Sequence, residues 1–238
     1  MAILTTATDK HLYSVSTNFT TSEVPFSITV WINAVWNSGA TVSMVGMYDG
    51  TTVVTPTTGL QIGTTAGNLG GLSIWGYGGT TMVESTPGAM TAYNNIWVNV
   101  TYTYNGTTHI AYVSGVQIAT GTTAQVPGTF TQVYINGYPP AGNASECAAF
   151  GVDMYAYFDR TLSANEVLTI YNAAGARHGI VYGKLARYEF DESAQGATVV
   201  NVPDLSGNGN NLSAIGSGSA ITYSYTNSYA DSNIRSPQ

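Results

Sequence analysis

The sequence predicts an all-β chain, one antiparallel two-sheet sandwich carrying a single short helix. Three observations carry this expectation. Only 8% of the 238 residues are charged, against roughly 25% in an average globular protein; Thr, Ser, Asn, Gly and Tyr fill the surface instead, which suits pleated, neutral hydrogen-bonding faces. Short segments of alternating polarity recur between Gly, Asn and Pro turns, as in Phe26–Ile32 and Ile96–Tyr104. Helical periodicity is confined to Ser163–Ala174.

The length is ordinary for one large β-sandwich, which buries enough apolar surface to fold without covalent staples. A net charge of −7 with six Lys and Arg argues against nucleic acid or an anionic membrane as partner. The one cysteine, Cys147, excludes an intrachain disulfide framework and reads as a small buried hydrophobe. Met1 opens a polar segment without a basic n-region or an apolar h-region, so no signal peptide is expected. No apolar run approaches the roughly 20 residues of a membrane-spanning helix.

In chain order, Lys10–Thr17 reads as a first strand with Leu12 and Val15 packed. Phe26–Ile32 is the cleanest strand: Phe26, Ile28, Val30 and Ile32 point one way, Ser27, Thr29 and Trp31 the other. Thr41–Tyr48 is a strand with Val45 and Met47 on one face, and Asp49-Gly50 signals a hairpin. Gly59–Ile62 and Leu69–Tyr77 form the next pair, and Met82–Glu84 is a short strand before a Pro87-Gly88 turn. Ile96–Tyr104 leads into Asn105-Gly106, read as a type I′ turn, and Thr108–Val113 returns; Ser114-Gly115 opens Val116–Ala119, and Phe130–Gly137 follows. In Phe150–Gly175 the alternation places Val152, Met154, Ala156 and Phe158 on one face and Asp153, Tyr155, Tyr157 and Asp159 on the other. Ser163 and Glu166 have the spacing of a capping box, Val167, Leu168, Ile170, Tyr171 and Ala174 make an apolar face, and Gly175 suits the left-handed C′ position.

Residues Gly151, Asp153, Arg160, Leu162, Ser163, Glu166, Val167, Tyr171 and Asn172 form a pattern that resembles the end of a laminin-G-like, concanavalin A-like lectin domain, of the divergent kind found in phage and bacterial surface proteins. Trp31-Ile32 fits the same family, and so does the run Trp97, Val100, Tyr104, Asn105, Gly106, Tyr112, Val113, Gly115, Gly121, with Asn105 and Ser114 as departures. The resemblance covers Leu12 to Asn172 and implies a jelly-roll sandwich. Lys184–Glu192 and the Gly/Asn loop Asp204–Leu212 resemble the way such a domain begins. The 1–223 stretch is therefore expected to be one domain closed by C-terminal strands within 184–223. The alternative is that these strands enter a neighbouring subunit. The polar 224–238 tail is expected to contact other subunits.

Glucanases on this sandwich use paired carboxylates. The nearest pattern here, Glu189, Asp191 and Glu192, has Ala194 where a further Glu would stand, so no enzyme activity is expected. His11, His109 and His178 are far apart in sequence and read as surface or edge residues without zinc spacing. Calcium is the one cofactor considered: Asp204, Asn208 and Asn210 offer hard oxygens in one loop, and the resemblance adds Asp153. Equally, DLSGNGNN reads as a tight turn whose Asn and Gly supply positive φ. Trp36, Trp75, Tyr77 and Tyr138 are candidates for stacking on sugars, and core packing explains the same rings. Two functions follow: a non-enzymatic phage virion structural protein (capsid decoration, head-fibre or tail-associated) that contacts other virion proteins, copies of itself and surface glycans, made in the host cytoplasm and displayed on the virion surface; or a free carbohydrate-binding or adhesion module.

Overall fold

Phe26–Asn33 (β3) folds with the alternation that its sequence prescribes. Phe26, Ile28, Val30 and Ile32 enter the main core, while Ser27, Thr29 and Trp31 are buried on the opposite face. The computed structural model describes residues 2–5, 11–15, 25–37, 39–49, 59–76, 80–122, 130–137, 148–173, 184–190, 194–215 and 220–224. Around β3 stand β1 (Ala2–Leu4), β8 (Trp97–Tyr104), β9 (His109–Val113), β10 (Val116–Gly121), β12 (Gly151–Phe158), β13 (Lys184–Tyr188) and β16 (Thr222–Ser224). They form an antiparallel sheet in the order β10-β9-β8-β3-β12-β1-β16, with β13 also paired to β12. The second sheet has the order β14-β15-β2-β11-β4-β5-β6-β7. Its strands are β2 (His11–Val15), β4 (Val42–Tyr48), β5 (Gly59–Thr64), β6 (Ser73–Gly76), β7 (Thr81–Glu84), β11 (Gln132–Ile135), β14 (Asn201–Val202) and β15 (Leu212–Ile215). The helix α1 (Ala164–Asn172) lies on the outer face of the first sheet, where Val167 and Ile170 meet Tyr112, Ala156, Phe158 and Leu162.

The alternation read in Phe150–Gly175 breaks at one place. Asp153 pairs with Trp31 but Ala156 with Thr29, so β12 carries an extra residue there. Met154 takes φ +50 to accommodate it. Val152, Tyr155 and Tyr157 therefore face the main core, while Ala156 and Phe158 face the helix. The grouping of Val152 with Met154, Ala156 and Phe158 is corrected by that bulge, because one inserted residue exchanges the two faces.

Two hairpin expectations are corrected as well. Tyr48 pairs with Gly59, so the connection after Asp49 is far longer than a two-residue hairpin. Between β8 and β9, Tyr104 pairs with His109, and Asn105 accepts at Oδ1 from the Thr107 and Thr108 N–H groups. A type I′ turn needs positive φ at both central residues. Ser114 (φ +50) and Gly115 (φ +81), between the paired residues Val113 and Val116, meet that condition. His109, read as a surface or edge residue, is fully buried on β9, which lies between β8 and β10, and stacks on Tyr104 at 4.5 Å.

The described C-terminal strands complete both sheets. β13 pairs with β12 and β16 with β1 in the first sheet, and β15 with β2 in the second. Ala186 and Tyr188 point into the core, as their alternation requires, and Phe190, beyond the strand at φ +54, is buried in the same core. On the opposite side the edge strands β10 and β7 meet. A Cβ at Gly121 would collide with the Met82 carbonyl oxygen, so only glycine permits that approach. The expected residues Cys147, His178, Gly175 and the 225–238 part of the tail lie outside the described residues.

The polar residues under the helix are paired. Ser27 Oγ accepts from the Leu162 N–H at 2.9 Å and donates to the Arg160 carbonyl at 2.9 Å. Thr101 Oγ1 donates to Asn99 Oδ1, and Asn99 Nδ2 donates to Thr29 Oγ1. The capping box forms: Ser163 Oγ accepts from the Glu166 N–H and Glu166 Oε2 from the Ser163 N–H. Glu166 also pairs with Arg160 at 2.8 Å. The Arg160 hydrogen bond, with the Ser163 N–H next, pulls the Glu166 carboxyl down to about 2.

Two predictions follow from this packing. Ending the chain at Gly183 removes Ala186, Tyr188, Phe190, Val199, Val202, Leu212, Ile221 and Tyr223 from the core. At about 1.5–3 kcal/mol per large apolar side chain, the loss is as large as the whole stability of a typical domain, about 5–15 kcal/mol. The truncated protein is expected in the insoluble fraction, checked by solubility and thermal melting. Glu166→Gln is expected to cost about 1 kcal/mol at neutral pH by weakening the box and the ion pair. Because the folded carboxyl titrates below its ordinary value of 4.5, its contribution is full above that pH and vanishes as pH falls toward 2. Melting curves of wild type and variant are thus expected to converge across that window.

Candidate functional site

The two described aromatic candidates are both buried, on opposite faces of the structure's layers. Trp36 is 1% exposed and belongs to the main core. Trp75 is 5% exposed and lies in a cross-strand row with Gln61, Gly46 and Tyr134, on the face of the second sheet away from Val133 and Ile135. Tyr48 covers two glycines of that face: a Cβ on Gly46 would lie 2.6 Å from its ring, and one on Gly59 would collide with it. Tyr48, Gln132, Tyr134 and Gln61 are all buried. Neither tryptophan presents an open ring for a sugar to stack on; the expectation for Trp36 and Trp75 is corrected to packing. Tyr77 and Tyr138 lie outside the described residues.

What the burial of Trp36 builds is a surface above it. Asn94 Oδ1 accepts from the Trp36 backbone N–H at 2.7 Å, and Asn94 Nδ2 donates to Asn37 Oδ1 at 3.2 Å. Asn33 Nδ2 donates to the Asn95 carbonyl, and the Asn95 N–H to the Ala34 carbonyl at 2.9 Å. Asn95 sits at φ +57, a conformation asparagine tolerates better than most residues. These bonds lock the loop after β3 to the segment entering β8, which follows a single 3-10 turn at Thr91–Tyr93. The junction exposes Asn37 and Asn95, half-exposes Asn33, Tyr93 and Asn94, and presents Val35 and Ile96 at 44% and 45% exposure. Amides that both donate and accept, beside small apolar groups and one ring, are what sugar hydroxyls and C–H faces need. Sequence reading fixed on Trp36 and passed over these asparagines. The available signal was an Asn beside an apolar residue in both NAVWN and YNNIW, but the register joining Asn33 to Trp97 is needed to bring the two segments together.

The calcium candidates do not assemble into a cage. Asp204 Oδ1 accepts from the Arg187 and Ser206 N–H groups at 3.0 and 2.9 Å. Its Oδ2 accepts from the Asn210 N–H at 3.0 Å and from Ser206 Oγ at 2.8 Å. The carboxylate's acceptor directions are thus filled by protein donors. Asn208 Nδ2 is turned to Ser206 Oγ, and Asn210 gives its carbonyl to the Tyr188 hydroxyl at 2.6 Å. Gly207 and Gly209 take φ +90 and +76. This is the turn reading of DLSGNGNN, fastened to β13 through Arg187. Asp153, fully buried, pairs across strands with Trp31 in the first sheet instead. Among the described residues no group of three or more His, Cys, Asp or Glu could hold a metal.

Other acids also have structural tasks. Glu84 accepts from Ser73 Oγ at 2.8 Å, Glu189 pairs with Arg187, and Glu166 serves the cap and Arg160. Asp191, Glu192 and the side chain of His11 lie outside the description. No described helix is long and apolar enough to cross a membrane.

Comparison with known proteins gives the fold a lineage. The family model Laminin_G_3, of the concanavalin A-like lectin/glucanases superfamily, matches residues 6–168. A search of curated proteins by sequence gives no match. Among solved structures, a candidate carbohydrate binding protein from Bacteroides ovatus is similar at a TM-score of 0.59 and 14% identity; the match covers 92% of this chain and 60% of that one, so this chain spans less than two thirds of its length. A native heptameric SAP-like pentraxin from Limulus polyphemus is similar at a TM-score of 0.56 and 12% identity, over 94% of this chain and 95% of that one. At these identities the likeness is one of fold.

Asp204→Ala would leave four protein donors without their acceptor and is expected to cost about 2–3 kcal/mol. With the Asp204 oxygens already accepting from protein donors, millimolar Ca²⁺ is expected to leave the melting temperature of the wild type unchanged; a rise would show that the folded state binds the ion. Calorimetry with and without the ion reads both.

Proposed function

Because the chain belongs to the Laminin_G_3 family of the concanavalin A-like lectin/glucanases superfamily, we propose that it is a non-enzymatic carbohydrate-binding module whose binding surface is the asparagine junction above Trp36. The observation that carries this reading is the cross-linking of Asn33, Asn37, Asn94 and Asn95 at the surface beside Tyr93. The amides are held in place before any ligand arrives, which reduces the ordering cost of binding. The Bacteroides ovatus neighbour, a candidate carbohydrate binding protein with the same fold, is in keeping with this class.

A second reading places the module in a phage particle, as a decoration, head-fibre or tail-associated subunit in contact with copies of itself. Its support is a surface with few charges, rich in Thr, Ser, Asn and Gly, and the heptameric assembly of the pentraxin neighbour. Light scattering of the purified protein separates the two: a monomer favours the free module, a defined multimer the particle subunit.

A glycan array is expected to give binding to neutral oligosaccharides. The pair Asn37→Ala with Asn95→Gly removes two exposed amides while keeping a residue that tolerates positive φ. At about 0.5–1.5 kcal/mol per hydrogen bond, affinity is expected to fall about tenfold, while the loss of the exposed Asn94–Asn37 bond lowers the melting temperature only slightly and the fold is kept. Undiminished binding by this variant would exclude the junction as the site.

A further inference from the structure

The chain contains three Asn-Gly pairs, Asn105-Gly106, Asn136-Gly137 and Asn208-Gly209. In such a pair the glycine nitrogen can attack the preceding side-chain amide carbon, because no Cβ shields it. The fold treats the three differently. Asn136 is fully buried, accepts at Oδ1 from the Ala148 N–H, and is followed by a glycine whose N–H is engaged by the Ser43 carbonyl at 2.7 Å. Asn208 is exposed, and its side-chain nitrogen is turned to Ser206 Oγ at 3.1 Å.

Asn105 is arranged for the reaction. It is exposed at the turn between β8 and β9. Its Oδ1 accepts three hydrogen bonds, from the Thr107 N–H at 3.0 Å, Thr107 Oγ1 at 3.1 Å and the Thr108 N–H at 2.9 Å. Attack on the amide carbon places negative charge on this oxygen. Three donors already aimed at it stabilise that charge, on the same principle as an oxyanion hole. The adjoining glycine is positioned by its carbonyl, which accepts from the Tyr104 hydroxyl at 2.8 Å, and it takes φ +102. Its N–H makes no hydrogen bond among the described residues.

We propose that Asn105 is a self-modification site, where the β8–β9 turn converts its own asparagine to aspartate or isoaspartate. The Gly106 nitrogen loses its proton to solvent base and bonds to the Asn105 side-chain carbon. The side-chain nitrogen takes up a proton from solvent and leaves as ammonia, closing a succinimide ring. Water then opens the ring at either carbonyl. The net reaction consumes one water and releases one ammonia, with no oxidant or reductant. The isoaspartate product lengthens the backbone of the turn, and both products add a negative charge to a chain that already carries −7.

The test is peptide mapping by mass spectrometry of the intact, folded protein aged in mildly alkaline buffer. Fragmentation distinguishes aspartate from isoaspartate. The expected result is conversion at Asn105 ahead of both Asn208 and Asn136. Thr107→Val keeps the shape of the exposed side chain and removes one of the three donors. It is expected to slow conversion at Asn105 roughly tenfold, less than the 10²–10³ of an oxyanion donor in a dry enzyme site because the turn is wet. The rate at Asn208 in the same variant is the internal reference and is expected to stay fixed. Faster conversion at Asn136 or Asn208 than at Asn105, or an unchanged Asn105 rate in Thr107→Val, overturns the proposal. Glycan binding plays no part in either readout.

Discussion

The extra residue in β12 is the constraint around which the sandwich is arranged. β12 is the strand on which both faces of the first sheet must be reconciled, with aromatic core on one side and helix on the other. Before the bulge its outer edge is taken by β1, with Ile3 opposite Val152; after it, by β13, with Tyr188 opposite Tyr155. A residue such as Met154 at positive φ costs about 1–3 kcal/mol. The compensation is visible. Tyr155 and Tyr157 reach the core, where Tyr155 stacks on Tyr188 at 5.6 Å and Tyr157 on Phe26 at 5.7 Å, and Phe158 reaches the helix. Strands from the first few residues and from the C-terminal part of the chain thereby share one edge of β12.

Closure of the layers follows from small residues and from the chain's end. Where β10 meets β7, the approach is set by the missing side chain of Gly121. On the other side the segment after β13 runs between the sheets: the Val199 N–H reaches the Ile221 carbonyl and the Ala214 N–H the Val200 carbonyl, while Thr198 bridges to Thr222. Edge strands held in this way present fewer unpaired backbone groups for association with other chains.

A chain so poor in charge keeps its order with neutral hydrogen bonds. Beneath the helix, Ser27, Thr29, Asn99 and Thr101 replace an apolar layer and are internally paired. At the loops, asparagines bind backbone: Asn94 holds Trp36, Asn105 makes its own turn, and Asn136 holds Ala148. A buried network of this type is costly when any partner is lost and specific when all are present. The same chemistry that fixes the loops gives the surface its capacity for neutral ligands.

The sequence by itself determined those features that depend on neighbours along the chain. The alternation of Phe26–Ile32, the capping box of Ser163 and Glu166, and the inward pair Ala186 and Tyr188 are all set by local period and local hydrogen bonding. The motifs at Trp31, Trp97–Gly121 and Gly151–Asn172 were enough to indicate the sandwich. Tertiary structure decided the rest, because it depends on register. The β12 bulge exists only opposite Trp31 and Thr29. Ser114-Gly115 rather than Asn105-Gly106 became the type I′ turn because Val113 pairs with Val116. His109 is buried because its strand lies between Tyr104 and Gly121. Trp36 turned inward, and the asparagines around it met, because a side-chain bond from a segment far along the chain holds its backbone. A residue's type states what it can bind; only the pairing of distant strands states what comes within reach.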